Sequence, residues 1–498
     1  MVDQSGRRLS LTLLQKLRNG VAVPQLFLSI HRGAGVRCDD LSMDDHGFQP
    51  DDSFESRPAK SSSRFDGVGM AGLCAFCLTL ALTVFPFEAG AGVLSVNPLT
   101  PGADGDAGFT SLDATQLGIA FGSAKAARVD SPDQTLNAGL AAGDINGDGL
   151  CDLFFCGLNG DNRLYRNQGD WRFEDVTARS GLRLDGVVLR GAVLADVDGD
   201  TDLDLIALSL GNGSALFLND GRGAFSRSDL IPWEESGIAG DVSGALADID
   251  GDGDLDLYVT RYLRARLQYS VPPEIYRRMT EREIVKLKAG EPLDPKFDEF
   301  FEILEVDGAN GIEHVVEQKG ASDALYLNEG GKGFRLLVDE SQRFRDRNQG
   351  RAGLPRDWGL GVQFRDVDGD GDPDLYVCND FYSPDRFWIN DGKGHFEAAQ
   401  PESLRRTSNF AMGLDFADIN QDGHLDLFTV DMLSRRHDRR KTQMGDMRPT
   451  PFAVGEIFNR PQIMQNTLSL NRGDGTFAEI AQYAGLKASE WSWSAVFM

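Results

Sequence analysis

Apolar and polar positions along the chain repeat a cadence of acidic loop, apolar run, second apolar run and Asn-Gly turn. Five segments carry the loop and the run after it: DINGDGLCDLFF from Asp144, DVDGDTDLDLIA from Asp196, DIDGDGDLDLYV from Asp248, DVDGDGDPDLYV from Asp366 and DINQDGHLDLFT from Asp418. They start 52, 52, 118 and 52 residues apart, and the long interval is one period plus 66 residues, so the third unit carries an insertion. Each unit then shows a turn between two apolar stretches: LYRNQGDWRF at 164–173, LFLNDGRGAF at 216–225, LYLNEGGKGF at 325–334, FWINDGKGHF at 387–396 and LSLNRGDGTF at 468–477. Asn and Gly accept positive φ at low cost, which is hairpin chemistry.

Every unit therefore predicts four short strands, one on each side of the acidic loop and one on each side of the turn. The runs after the loops (DLFFCG, DLIALS, DLYVTR, DLYVCN, DLFTVD) are apolar at nearly every position. Strands buried on both faces read this way. A four-stranded unit recurring at about fifty residues marks a propeller blade, so the predicted class is an all-β β-propeller. A β-helix or a two-sheet sandwich accounts less well for the 52-residue recurrence. Five complete blades are legible, and WSWSAVFM at 491–498 reads as the lead-in strand of a sixth, as if the chain were truncated there. GIAFGSA at 118–124 is a candidate outer strand to close the ring.

Two long insertions, about 262–322 and 432–466, fall between second and third strands, which places both on the face opposite the acidic loops. The first contains PPEIYRRMTEREIVKLKAG, a charged helix entered after prolines. The second holds Arg435, Arg436, His437, Arg439, Arg440 and Lys441, a basic cluster suited to an anionic partner or to a salt-bridged covering loop. Asp380, Tyr382 and Asp385 occupy the equivalent connection of blade four, where turn-stabilising roles are the plainer expectation.

Charge sharpens the picture. Asp and Glu number 77 against 50 Lys and Arg, a formal charge of −27, which disfavours nucleic acid and anionic membranes. The acids are concentrated at loop positions 1, 3, 5 and 9: Asp144, Asn146, Asp148 and Asp152; Asp196, Asp198, Asp200 and Asp204; Asp248, Asp250, Asp252 and Asp256; Asp366, Asp368, Asp370 and Asp374; Asp418, Asn420, Asp422 and Asp426. Alternate residues on a tight loop point at one centre, and all-oxygen, flexible ligation suits Ca²⁺ rather than zinc or Mg²⁺. About five calcium sites are expected. An EF-hand would need a bidentate Glu at position 12 between helices; here Asp at position 9 leads into a strand. An Asp/Gly turn without metal is the simpler alternative, but several carboxylates within a few ångströms repel by about 1 kcal/mol per pair even in water. Loop two departs from the pattern with Thr201 at the sixth position, where the others carry Gly.

Residues 71–87, AGLCAFCLTLALTVFPF, form the one long apolar run, with Arg57, Lys60 and Arg64 before it and Ala89-Gly90-Ala91 after it. That is the layout of a secretory signal peptide, here 70–91 with cleavage after Ala91, so an exported protein is expected with no membrane insertion after cleavage. Residues 1–69 read as a disordered extension or a mis-assigned start, Met70 being the candidate initiator, and 92–116 as a linker before a propeller at 117–498. Cys151, Cys156 and Cys378 lack metal-ligand spacing and read as small buried strand residues.

The loop DVDGDGDPDLYV with the later NDGKGHF resembles the FG-GAP (VCBS) repeat of integrin α-subunit propellers. More narrowly, AAGDINGDGLCDLF, RNQGDWRFEDVTARSGL and LSLNRGDGTFAEIAQYAGL are similar to the cartilage acidic protein group, whose propeller often precedes an ASPIC/UnbV module. The resemblance covers about 117–498 and implies a roughly seven-bladed propeller with calcium under the blades, and adhesion or recognition as the role. A protein- or glycan-binding scaffold is thus the first expectation. The alternative is a propeller enzyme acting on polysaccharide, a lyase or hydrolase with its site on the insertion face. His314, His395, His424 and His437 offer no nucleophile or zinc pattern, and no catalytic residue is assigned.

Overall fold

The computed structural model describes residues 111–121, 139–157, 160–209, 214–233, 239–263, 301–308, 311–338, 340–348, 350–380, 383–443 and 461–498. The expected extension, signal peptide and charged helix of the first insertion lie outside them.

Each acidic loop joins two antiparallel strands, and each Asn-Gly turn joins two more. Blade one is Leu140–Gly143, Asp152–Phe155, Arg163–Asn167 and Phe173–Asp175; blade two is Leu189–Ala195, Asp204–Ser209, Ala215–Asn219 and Phe225–Ser228. Blade three is Ala239–Ala247, Asp256–Leu263, Ala324–Asn328 and Phe334–Leu336; blade four is Gly359–Arg365, Asp374–Asn379, Arg386–Asn390 and Phe396–Ala398. Blade five is Gly413–Ala417, Asp426–Val430, Thr467–Asn471 and Phe477–Glu479. Pairing runs in chain order within every blade, so each sheet is an up-and-down meander. Blade four is widened by Phe344–Asp346, which pairs in parallel with Phe396–Ala398, and by Arg351–Ala352.

Successive blades turn about one axis. Their first strands neighbour one another in the order one to five. All five line a single central cavity of about 240 Å³, together with Trp493 and Ser494. The close approach there depends on small residues five positions before each loop: Gly139, Gly191, Ser243, Gly361 and Gly413. A Cβ on Gly139 would stand 2.8 Å from the Arg190 carbonyl oxygen, one on Gly191 would strike Val242 O, and one on Gly413 would stand 2.8 Å from Trp493 O. The 489–498 segment thus lies along blade five, where Phe497 N donates to Asp415 Oδ2 at 2.7 Å, but it forms no strand.

The core is a series of layers between blades. Leu164, Leu205 and Phe217 sit between blades one and two; Ile206, Leu257 and Tyr326 between two and three; Tyr258, Leu375 and Trp388 between three and four; Tyr376, Leu427 and Phe477 between four and five. Second strands of blades two, four and five are buried at every residue, as expected of strands covered on both faces. Blade one alternates instead, and its half-buried Phe155 is stacked on by Phe121 with ring centroids 4.8 Å apart.

After its fourth strand each unit sends a tail to the next blade. Phe225, Phe334, Phe396 and Phe477 each donate a backbone N–H to such a tail, at Ser180 O, Leu230 O, Arg343 O and Ser403 O, over 2.6–2.9 Å. Phe173 makes the same bond to Leu117 O at 2.7 Å. Residues 114–118 are therefore a turn of this tail type, and 118–121 form no strand, in contrast to the outer strand expected there. Both insertions do fall between second and third strands. The described part of the first is a hairpin, Phe301–Gly308 with Gly311–Gln318, not helix. The second contains the short helix His437–Gln443.

Candidate metal centres on the acidic loops

The five loops share one hydrogen-bond scheme. At position 1 the carboxylate accepts backbone N–H groups from within its own loop: Asp144 from Asn146, Asp148 and Gly149, and Asp248 from Gly251, Asp252 and Gly253. At position 5 the carboxylate accepts the N–H of position 7, as in Asp200 from Asp202 and Asp370 from Asp372 at 3.0 Å each. Positions 4 and 6 have positive φ throughout. Glycine satisfies this except at Thr201 (φ 76°) and Gln421 (φ 64°). Loop two nonetheless keeps the common shape despite its threonine.

Position 9 works differently. One oxygen accepts the N–H of loop position 2 and the other the N–H of the turn asparagine, as at Asp204 (Val197 at 3.1 Å, Asn219 at 2.8 Å) and Asp374 (Val367 and Asn390, both at 3.0 Å). Asp152, Asp256 and Asp426 repeat the clamp, and all five side chains are buried. Burial pushes the Asp204 carboxyl up to about 6 and those of Asp256 and Asp374 up to about 7, against the N–H bonds that pull the other way.

Three loops bring ligand oxygens within 4.8 Å of one another among the described residues: Asp196, Asp198 and Asp204; Asp248, Asp250 and Asp252; Asp366, Asp368 and Asp374. Burial and then the neighbouring Asp200, Asp252 and Asp370 raise the pKa values of Asp198, Asp250 and Asp368. Asp198 Oδ1 and Asp250 Oδ1 are buried without a hydrogen-bond partner. Crowded anionic oxygens with lone pairs to spare fit a hard divalent cation, which would relieve both burial and repulsion. Loops one and five form no such carboxylate group. Asn stands at their third position, Asp148 pairs with Arg166 at 3.3 Å, and Asn420 Nδ2 donates to Asp422 at 2.9 Å.

The turn asparagine has a role that its sequence context did not reveal. Its side-chain amide crosses to the preceding blade: Asn219 Nδ2 donates to Ile145 O (2.8 Å), Asn328 to Val197 O (3.0 Å), Asn390 to Ile249 O and Asn471 to Val367 O (both 2.9 Å). Each acceptor is position 2 of an acidic loop. A loop is thereby fastened to the blade after it as well as to its own.

At the second-to-third connections a parallel cap recurs. Asn162, Ser214, Asp323, Asp385 and Asn466 each accept a backbone N–H from the end of the second strand, over 2.8–3.0 Å. Asp385 also takes the Tyr376 hydroxyl at 2.9 Å, and Asp380 takes that of Tyr262 at 2.9 Å, so both stabilise structure, while Tyr382 lies outside the described residues. The basic cluster is largely engaged too. Arg435 donates to Ala488 O, Arg436 pairs with Asp438, Arg439 pairs with Glu490 at 3.5 Å, and Arg440 donates to Ser434 O. Four of its six basic side chains thus brace the covering segment.

Such loops, repeated on stacked four-stranded sheets, define a repeat class. FG-GAP-like repeats match residues 144–207, 196–259 and 366–429. Among individual proteins, the chain is similar to human cartilage acidic protein 1, 31% identical over 147 residues, or 28% of this chain and 22% of that protein. The mouse protein is 30% identical over 194 residues, 36% of this chain and 29% of that protein. The matches therefore span under a third of these relatives' length. A lectin from Agrocybe aegerita, described as recognising non-reducing terminal N-acetylglucosamine, aligns over 69% of this chain and 79% of its own at 17% identity. Its TM-score of 0.30 is too low to equate the two folds.

Proposed function

We propose that the chain is an exported, calcium-binding β-propeller of the cartilage acidic protein type, a scaffold that binds a protein or glycan on its insertion-bearing face. Calcium is structural in this reading. Its ligands are the loop residues at positions 1, 3, 5 and 9, from Asp144, Asn146, Asp148 and Asp152 through Asp418, Asn420, Asp422 and Asp426, with the position 9 aspartates also clamping each loop to its own blade. The observation that carries it is the pair of buried, unpartnered oxygens on Asp198 and Asp250 amid other carboxylates. Oxygen donors of this kind are neutralised by a hard cation at little cost in geometry.

Export agrees with the 70–91 pattern, and a calcium-rich compartment would keep such sites filled. Among the described residues no helix is long and apolar enough to cross a membrane. Calorimetric calcium titration of the chelator-treated chain tests the metal reading: heats at three or more sites are expected, and a flat titration with an unchanged melt rejects it. Glycan and protein arrays on calcium-loaded protein test the scaffold role, with retention on at least one ligand class expected.

A further inference from the structure

A cavity of about 540 Å³ opens between blades four and five, lined by Asp368, Glu397, Glu402, Ser403, Asp474 and Phe477 among others. No Lys or Arg lines it, and His424 is its one basic side chain. Arg347 pairs with Glu397 Oε2 at 3.2 Å, but Glu397 Oε1 stays buried without a partner.

The junction before it explains why this space exists. Between blades three and four, Arg343 lies in the tail whose carbonyl accepts Phe396 N–H. Its guanidinium donates to Lys393 O at 2.5 Å and pairs with Asp250 at 3.9 Å, filling the space over Gly394 so fully that a Cβ there would strike it. One blade on, the tail residue bonded to Phe477 is Ser403, the acidic-loop residue is Asp368, Lys393 becomes Asp474, and a Cβ on Gly475 would meet nothing within 4 Å. The space that Arg343 fills in the preceding junction is open here and more acidic, with Asp474 in place of Lys393.

We infer that the cavity between blades four and five is a receptor for a guanidinium group, seated against Asp368 and Asp474 as Arg343 is seated against Asp250 in the preceding junction. The planar fork of a guanidinium suits carboxylates presented from two sides, and its apolar stem would lie on Phe477. Asp250 belongs to an acidic-loop group while pairing with Arg343, so Asp368 can serve a loop and a ligand together. The inference therefore stands apart from the calcium reading.

The test measures binding of N-acetyl-arginine methylamide and its neutral citrulline isostere to the full chain, by calorimetry and saturation-transfer NMR, with calcium and with chelator. The arginine probe is expected to bind at least tenfold more tightly, a difference of about 1.4 kcal/mol. Ser403→Arg, which supplies the missing plug, should abolish binding, and the exposed Asp474→Lys should weaken it at least tenfold without loss of fold. Agmatine binding as well as an arginine tripeptide assigns a free guanidine; a tenfold preference for the tripeptide assigns an arginine of a protein partner. Equal binding of the two isosteres, full affinity in both variants, or no binding at millimolar probe overturns the proposal.

Discussion

At the scale of single residues, the sixth loop position shows what the backbone demands. Glycines at position 6 of loops one, three, four and five have φ of 81°, 95°, 97° and 91°, and a Cβ at any of them would meet nothing within 4 Å. The demand there is conformational alone. Thr201, β-branched at φ 76°, carries strain of about 1–2 kcal/mol. Thr201→Gly is expected to raise stability by about 1 kcal/mol, since relief of strain exceeds the added chain entropy, and Gly253→Ala to lower it by a similar amount. Urea midpoints at constant slope would show both; a Thr201→Gly loss would contradict the shared loop geometry. Asp323 offers a pH readout. Burial beneath Tyr258 and beside Asp357 pushes its carboxyl up to about 7, against the Arg261 N–H and the Tyr258 hydroxyl that hydrogen-bond to it and the Arg261 charge. A folded pKa above the unfolded 3.8 means the folded state holds the proton longer, so this contribution is full below about 4 and is lost as pH rises through about 7. Blades one and five carry Asn162 and Asn466 at the same cap. Asp323→Asn should therefore fold normally, flatten the decline in melting temperature between pH 5 and 8, and melt higher than the parent at pH 8. An unaltered slope would remove Asp323 from the account.

At the scale of elements, the turn asparagine separates what the sequence discloses from what it hides. Continuous apolar runs, loop spacing and turn chemistry in the sequence are enough to place the strands of all five blades, because strand and hairpin signals are local. Asn390 read only as a turn former; that its amide reaches Ile249 O of the preceding blade follows from stacking 141 residues apart, which no local pattern encodes. The small residues five positions before each loop were hidden for the same reason: Gly139 and Gly191 face carbonyls of the next blade, Gly361 faces Leu414 and Gly413, and Gly413 faces the Trp493 carbonyl. Position 9 carries a second use that its spacing hides, since Asp204 and Asp374 also stand in the converging carboxylate groups. Asp204 and Asp374 share the alternation of metal ligands, yet both of their oxygens accept backbone N–H groups, a use that composition does not separate from ligation. The basic cluster falls on and just before a helix of seven residues, His437–Gln443, and Arg435 and Arg439 turn back onto 488–490. Asn390→Ala removes amide bonds to Pro373 O and to Ile249 O, which keeps only its bond from the Gly394 N–H, a loss of about 2 kcal/mol. Asn167→Ala, whose amide N–H reaches only the exposed Cys151 O and whose Oδ1 accepts the Gly169 N–H of its own turn, should cost about 1 kcal/mol or less. Equal losses at the two sites would deny the cross-blade bond its energetic role.

At the scale of the whole molecule, acidic loops one to four each form part of a joint between blades, so their charge state bears on stacking and not only on the local turn. Loop two is tied to blade three through Asn328, loop three to blade four through Asn390, and loop four to blade five through Asn471. These three loops are also the ones whose carboxylates converge. With dissociation constants tenfold below the free calcium concentration, each occupied site adds about 1.4 kcal/mol, and five add about 7, comparable with the net stability of a domain. Excess chelator is accordingly expected to lower the melting temperature by about 10 °C or more, and to broaden the transition, because a repeat array that loses its joints unfolds in stages. The sign of one further change isolates the cause. Combining Asp198→Asn, Asp250→Asn and Asp368→Asn removes a crowded negative charge from each of the three joints. Without cation this relieves repulsion, and the triple variant should melt higher than the parent in chelator. With calcium it deletes ligands, and the same variant should melt lower than the parent and respond little to chelation. If instead the three substitutions shift the melt in one direction under both conditions, the carboxylates act as ordinary turn residues, and the stability of the stacked blades comes from their apolar layers and asparagine bonds alone.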